Sequence, residues 1–187
     1  MKLNKTSKMI YMSLLVSMAL ILSLIERMMP IPFVTPGAKL GLANLIIIIS
    51  IYTLDNYKDS FIILILRVFL AAIFGGNMST LLYSATGGIF SFIATIITKK
   101  LGGKHVSVIG VSSCAAVFHN VGQLLAASLI LNNFGVFLYL PVLSTIGIIT
   151  GIFIGLSANY LLSHLSQLPY FRNRLNLDNK KSSLKYN

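Results

Sequence analysis

The sequence predicts an all-α membrane protein, a bundle of about six transmembrane helices with both termini on the cytoplasmic side. Three observations lead there. The 187 residues are 56% hydrophobic and 10% charged, with a mean hydropathy of +0.84, whereas a soluble domain carries about 25% charged residues. The apolar segments approach the roughly 20 residues needed to cross a hydrocarbon core about 30 Å thick. Most of the basic residues cluster beside those segments, as expected when charge sets orientation.

Six apolar segments can be drawn: Met9–Met29, Gly37–Leu54, Ser60–Phe74, Ser79–Thr98, Val106–Leu131 and Leu138–Leu165. The first and fourth match a span. The second and third are short unless they borrow turn residues, and the last two are long enough to tilt or to extend past the bilayer. The first is expected to stay attached: a signal-peptide apolar core runs about 7–15 residues, and this run is longer and lacks a small-x-small exit. Pro30, Pro32 and Pro36 make Pro30–Gly37 an irregular outer segment, because each proline fixes φ and removes a donor. Gly75-Gly76-Asn77 breaks the chain after the third segment, and Asn132-Asn133-Phe134-Gly135 after the fifth, with Pro141 near the start of the sixth. Residues 1–167 read as one transmembrane domain and residues 168–187 as a basic, disordered cytoplasmic tail. No internal repeat emerges. The single cysteine, Cys114, lies in an apolar segment and reads as a small core residue.

The net charge of +11 raises the question of nucleic acid, and its distribution argues against it. With the N-terminus inside, the cytoplasmic segments hold Lys2, Lys5, Lys8, Lys58, Lys99, Lys100, Lys104 and the basic tail, while the outer segments hold only Arg27 and Lys39. These clusters flank spans and form no stripe with interleaved aromatics. They are expected to orient the chain with the basic rim on the cytoplasmic side of its membrane and, secondarily, to attract anionic membrane lipid.

Polar groups placed in hydrocarbon are costly and mark candidate sites. Glu26 and Arg27 end the first segment, Lys39 and Asn44 begin the second, Arg67 lies near the middle of the third, and Asn77 sits at its outer exit. His119, Asn120 and Gln123 fall in the outer half of the fifth, where His119 and Gln123, four apart, share a helix face. The expectation is a set of polar groups at similar depth near the outer surface. Lys39 and Arg27 read either as snorkelling anchors or as ligand contacts; Asn44 and Asn120 either hydrogen-bond between helices or face a ligand. Glu26 is the natural counter-ion for Arg27, Lys39 or Arg67. One acid against three bases leaves a positive excess that an anionic or strongly hydrogen-bonding ligand would complement. On the first segment Ser13 with Ser17, and Ala19 with Ser23, form small-xxx-small pairs suited to close packing in the bundle or to docking on a membrane partner.

Catalytic signatures are missing from the sequence: no Walker motif, HExxH, CxxC or GxSxG. The four acids, Glu26, Asp55, Asp59 and Asp178, make no carboxylate cluster of the kind that holds Mg²⁺ against a diphosphate. Asp55 and Asp59 read as a solvated cytoplasmic turn. The chain is expected to be a non-enzymatic binder with no cofactor, drawing energy for any uptake from partners.

Four stretches, PGAKLGLAN, LRVFLAAIFGGN, LYSATGG and FHNVGQLLAA, taken in that order, resemble the bacterial Gx transporter family, whose members are often labelled heptaprenyl diphosphate synthase component I. That family is similar to the substrate-binding S-components of energy-coupling factor (ECF) transporters. The resemblance covers roughly Ser13 to Leu165 and implies a six-helix bundle that captures a small vitamin-like or isoprenoid- or quinone-related molecule. It implies a shared ECF transmembrane coupling protein and cytoplasmic ATPases as partners, with Ser13, Ser17, Ala19 and Ser23 as the docking surface. The substrate site would comprise Lys39, Asn44, Arg67, Asn77, His119, Asn120 and Gln123, under a lid formed by Pro30–Gly37. The synthase label implies the alternative: a non-catalytic membrane partner of a prenyl diphosphate synthase in menaquinone synthesis.

Overall fold

A computed structural model of the chain describes residues 4–28, 41–75, 77–103 and 105–168, together with Phe171. All regular structure among these residues is helical: α1 (Lys5–Met28), α2 (Asn44–Thr53), α3 (Tyr57–Ile73), α4 (Met78–Gly102), α5 (Val108–Leu131) and α6 (Leu140–Leu165), with a 3-10 helix at Phe134–Tyr139 leading into α6. The six expected segments are the six helices, with ends shifted by a few residues except in α2. Four of them, counting the 3-10 turn with α6, are long and apolar enough to cross a membrane. Their outward faces carry exposed Ile10, Ile93, Leu129, Ile149 and Phe153, side chains that hydrocarbon tails solvate at no cost.

The short second segment has a specific explanation. α2 has 10 residues, about 15 Å of helix, half of a span. Ile46, Ile47, Ile48, Ile49, Ser50, Ile51 and Thr53 are all buried, because α1, α3, α4 and α6 pack around it. A helix that is apolar on every side belongs inside a bundle. Its start, preceded by the Gly41–Ala43 turn, therefore lies deep in the protein.

On the other side α4, α5 and α6 pack backbone to backbone. A Cβ at Gly122 of α5 would stand 2.7 Å from the Thr86 carbonyl oxygen and 2.9 Å from Gly87 Cα of α4. On α6, Gly147, Gly151 and Gly155 recur every four residues. A Cβ at Gly151 would fall 2.5 Å from Ser113 Cα, and one at Gly155 would fall 2.5 Å from Ile109 Cα. Small residues allow this approach, which replaces the hydrophobic effect as the source of cohesion in lipid. Asn132 closes α5 in the left-handed conformation at φ 48°, a position that asparagine tolerates.

The basic end is tied by side chains. Lys8 Nζ pairs with Asp59 Oδ2 at 2.6 Å, so Asp59 belongs to a packed helix start where a solvated turn was expected. Lys99 Nζ donates to the Ile51 carbonyl at 3.2 Å and sits 3.9 Å above the Tyr52 ring, where a cation complements the C-terminal end of α2. Tyr11 donates to Thr53 Oγ1 at 3.0 Å and its ring meets Phe171 at 5.3 Å.

Candidate functional site

The site begins at the turn before α2. Gly41 has φ +84°, a left-handed conformation that favours glycine. A Cβ there would press on Asn44 Nδ2 at 2.8 Å and on His119 Cδ2 at 3.1 Å. The Gly41 N–H donates to Glu26 Oε1 at the end of α1, and the Gly41 carbonyl accepts the Asn44 N–H at 2.8 Å. Those two bonds tie the start of α2 to the end of α1, with His119 of α5 beside Gly41.

Arg67 of α3 reaches the same place, its Nη2 donating to Asn44 Oδ1 at 3.4 Å. Arg67 is 5% exposed and Asn44 4%. Arg67 Nε and Asn44 Nδ2 are buried and have no hydrogen-bond partner among the described residues. Glu26, 3% exposed, attracts Arg67 electrostatically while one of its oxygens is held by Gly41. On α5, Gln123 Nε2 lies 3.1 Å from His119 Nε2, a geometry in which the amide donates and the ring nitrogen accepts. Two glycines of α4 leave room for these groups: a Cβ at Gly87 would meet His119 Cε1 at 2.8 Å, and one at Gly88 would meet Leu64 Cδ1 at 2.9 Å and Arg67 Nη2 at 3.4 Å.

Asn44, Arg67, His119 and Gln123 are thus brought together with Glu26, buried inside the bundle. Asn44 stands nine residues from the end of α2 and Arg67 ten from the start of α3, roughly 15 Å along either helix from the basic end. The buried apolar side chains form separate cores, one including Leu15, Ile46, Ile63 and Leu64 and a second with Tyr83, Leu124 and Leu143.

Other expected residues go elsewhere. Asn120 donates to the Leu143 carbonyl at 2.7 Å and faces Gly147 of α6, joining two helices. Asn77 caps α4 by accepting from Thr80 N at 2.8 Å and from its hydroxyl at 2.6 Å. Lys39 and the lid segment Pro30–Gly37 lie outside the described residues. The small-residue pairs divide: Ala19 and Ser23 are buried, whereas Ser13 and Ser17 are exposed along a groove of about 340 Å³ shared with Met9, Met12, Val16 and Leu66. Arg27, a candidate anchor, turns inward. Its Nη2 donates to the Ala71 carbonyl of α3 at 3.0 Å, one turn above Arg67, and its Nε and Nη1 are buried with no partner among the described residues. The sequence reading gave no role to Gly41, Gly87 and Gly88, although each stands in one of the four motif stretches. Among the described residues no group of three or more His, Cys, Asp or Glu side chains comes together.

Apolar outer faces around an enclosed polar cluster define a multi-pass α-helical membrane protein. Its family is also established: the profile described as heptaprenyl diphosphate synthase component I matches residues 15–161, most of the chain, and the protein belongs to that family. No curated protein and no solved structure matches it.

Proposed function

We propose that the protein is the substrate-binding, S-component-like subunit of an ATP-driven uptake transporter in the bacterial cytoplasmic membrane. Its ligand would be a small vitamin-like or isoprenoid- or quinone-related molecule. One observation carries this reading: three helices bring Asn44, Arg67, His119 and Gln123 together inside the bundle, and buried donors of Arg67 and Asn44 have no hydrogen-bond partner among the described residues. A scaffold gains nothing by burying a cation without full pairing, since the desolvation costs several kcal/mol. A binding site gains affinity from donors already in place. The role is binding rather than catalysis, with energy supplied by an ECF coupling protein and cytoplasmic ATPases that meet the exposed Ser13 and Ser17 face.

The test is purification from native membranes in mild detergent, followed by mass spectrometry of co-purified proteins and small molecules. Recovery of a transmembrane coupling protein and ATPases is expected. The family description favours a second reading, an accessory subunit of prenyl diphosphate synthesis, and recovery of a prenyl synthase alone would replace the first reading with it. Arg67→Ala and His119→Ala are expected to abolish uptake at equal expression; unchanged uptake in both would remove the site.

A further inference from the structure

We infer that the cluster is an oxyanion site, built to take the carboxylate or phosphate head of an otherwise apolar ligand; this deepens the uptake reading and rests on it. Arg67 Nε, Asn44 Nδ2, Arg27 Nε and Arg27 Nη1 are all N–H donors, all buried, and none has a partner among the described residues. The two arginines are one turn apart along α3, because Arg27 binds the carbonyl of Ala71, four residues beyond Arg67. They form a two-step cationic path from the end of α3 to mid-bundle. The N-terminus of α2 also lies at Asn44, and Ala43 makes no side-chain cap, so the positive end of that helix adds to the same field. Against this stands one carboxylate, Glu26, whose Oε1 is occupied by the Gly41 N–H. Guanidinium and amide donors side by side suit two oxygens of one anion. Leu64, which belongs to an apolar core and shares the space beside Gly88 with Arg67, suits an uncharged remainder.

The experiment uses the purified full-length chain in detergent and four probes with a common six-carbon tail: hexanoate, hexyl phosphate, hexanol and hexylamine. The two anions are expected to raise the unfolding temperature by about 3 °C or more at saturating millimolar concentration, with hexanol and hexylamine giving less than a third of that. The better anion tells a carboxylate ligand from a phosphate one. Asn44→Asp is the decisive variant. It is isosteric, removes Nδ2 and gives Arg67 a built-in counter-ion, so the empty protein should unfold at the same or a higher temperature while the anion response disappears. Glu26→Gln keeps the acceptor for Gly41 and removes the competing charge, so the anions should bind roughly 3- to 10-fold tighter. An equal or larger shift with hexylamine or hexanol, no shift with either anion, or a full anion response in Asn44→Asp would each overturn the inference. These outcomes need no partner protein. An anion response that vanishes in Asn44→Asp, in a chain that never recovers an ATPase, would leave the oxyanion site standing and the uptake reading refuted.

Discussion

The two sides of the bundle are held together by opposite means. α4, α5 and α6 meet through glycine, with backbones so near that a single methyl group has nowhere to go at Gly151 or Gly155. α1, α2 and α3 meet through side chains: Lys8 with Asp59, Tyr11 with Thr53, Arg67 with Asn44 and Arg27 with the Ala71 carbonyl. The first kind of contact has no adjustable part. The second is made by flexible groups that can exchange partners, and its polar members leave donors unused. Cohesion therefore resides mainly in the glycine-packed side and ligand chemistry in the other. The site lies where they touch, with His119 and Gln123 of the rigid side facing Asn44 and Arg67 of the adjustable one.

The sharpest way to break that division is on the rigid side. Gly151→Leu should be the most damaging substitution considered, because the obstructing atom is backbone and cannot rotate away. A loss of about 3 kcal/mol or more is expected, read as a collapse of the folded fraction in thermal unfolding by circular dichroism. If Gly151→Leu folds normally, close backbone packing is not what holds α5 to α6. Next comes Gly87→Ala at the seam. Its Cβ would press on the His119 ring and on Gln123 Cγ at 3.0 Å, groups that can move. Overpacking costs about 1–2 kcal/mol, and the better helix propensity of alanine returns about 1 kcal/mol. Stability should change little while ligand affinity falls about tenfold, because the imidazole is displaced. Equal losses of stability and affinity would show that the seam is only packing.

How much of this was legible in the sequence follows from the same division. Helix number, order and approximate ends were readable, because apolar runs and Gly, Pro and Asn breaks are local signals. The Gly147–Gly151–Gly155 stripe was equally visible as GxxxGxxxG, whereas of the two small-residue pairs on α1 only Ala19 with Ser23 packs inward. The membership of Asn44, Arg67, His119 and Gln123 in one cluster was foreseen from their shared polarity in hydrocarbon. The start of α2 inside the bundle was not, since it depends on the helices that pack around that short element. Which way a side chain turns was also beyond reach: Asn120 and His119 are neighbours in sequence, yet one serves α6 and the other the cluster. Nor could polarity separate Asn77, a helix cap, from a ligand contact.

That last distinction gives a smaller and more selective test. Asn77→Ala removes an N-cap, a change that typically costs about 1 kcal/mol, and among the described residues no hydrogen bond connects Asn77 to the cluster. Thermal stability should drop by a few degrees with ligand affinity unchanged. A loss of affinity beyond the loss of stability would return Asn77 to the site.

The smallest effect belongs to the basic end. Lys8 and Asp59 are partly exposed, with side chains 29% and 14% accessible, so solvent screens their attraction and the pair should contribute about 1 kcal/mol or less. Asp59 also lies in the first turn of α3, where the helix end stabilises a carboxylate without any lysine. Lys8→Gln should therefore lower the unfolding temperature by only about 1–3 °C in dilute buffer. The difference should shrink as salt is raised, because a Debye length near 3 Å at 1 M removes what little field remains. Ligand affinity should stay the same at every salt concentration, since the pair sits at the far end of α3 from Arg67. A salt-independent loss, or any loss of affinity, would mean that the basic end and the buried cluster are mechanically coupled through α3, and that the adjustable side moves as one body.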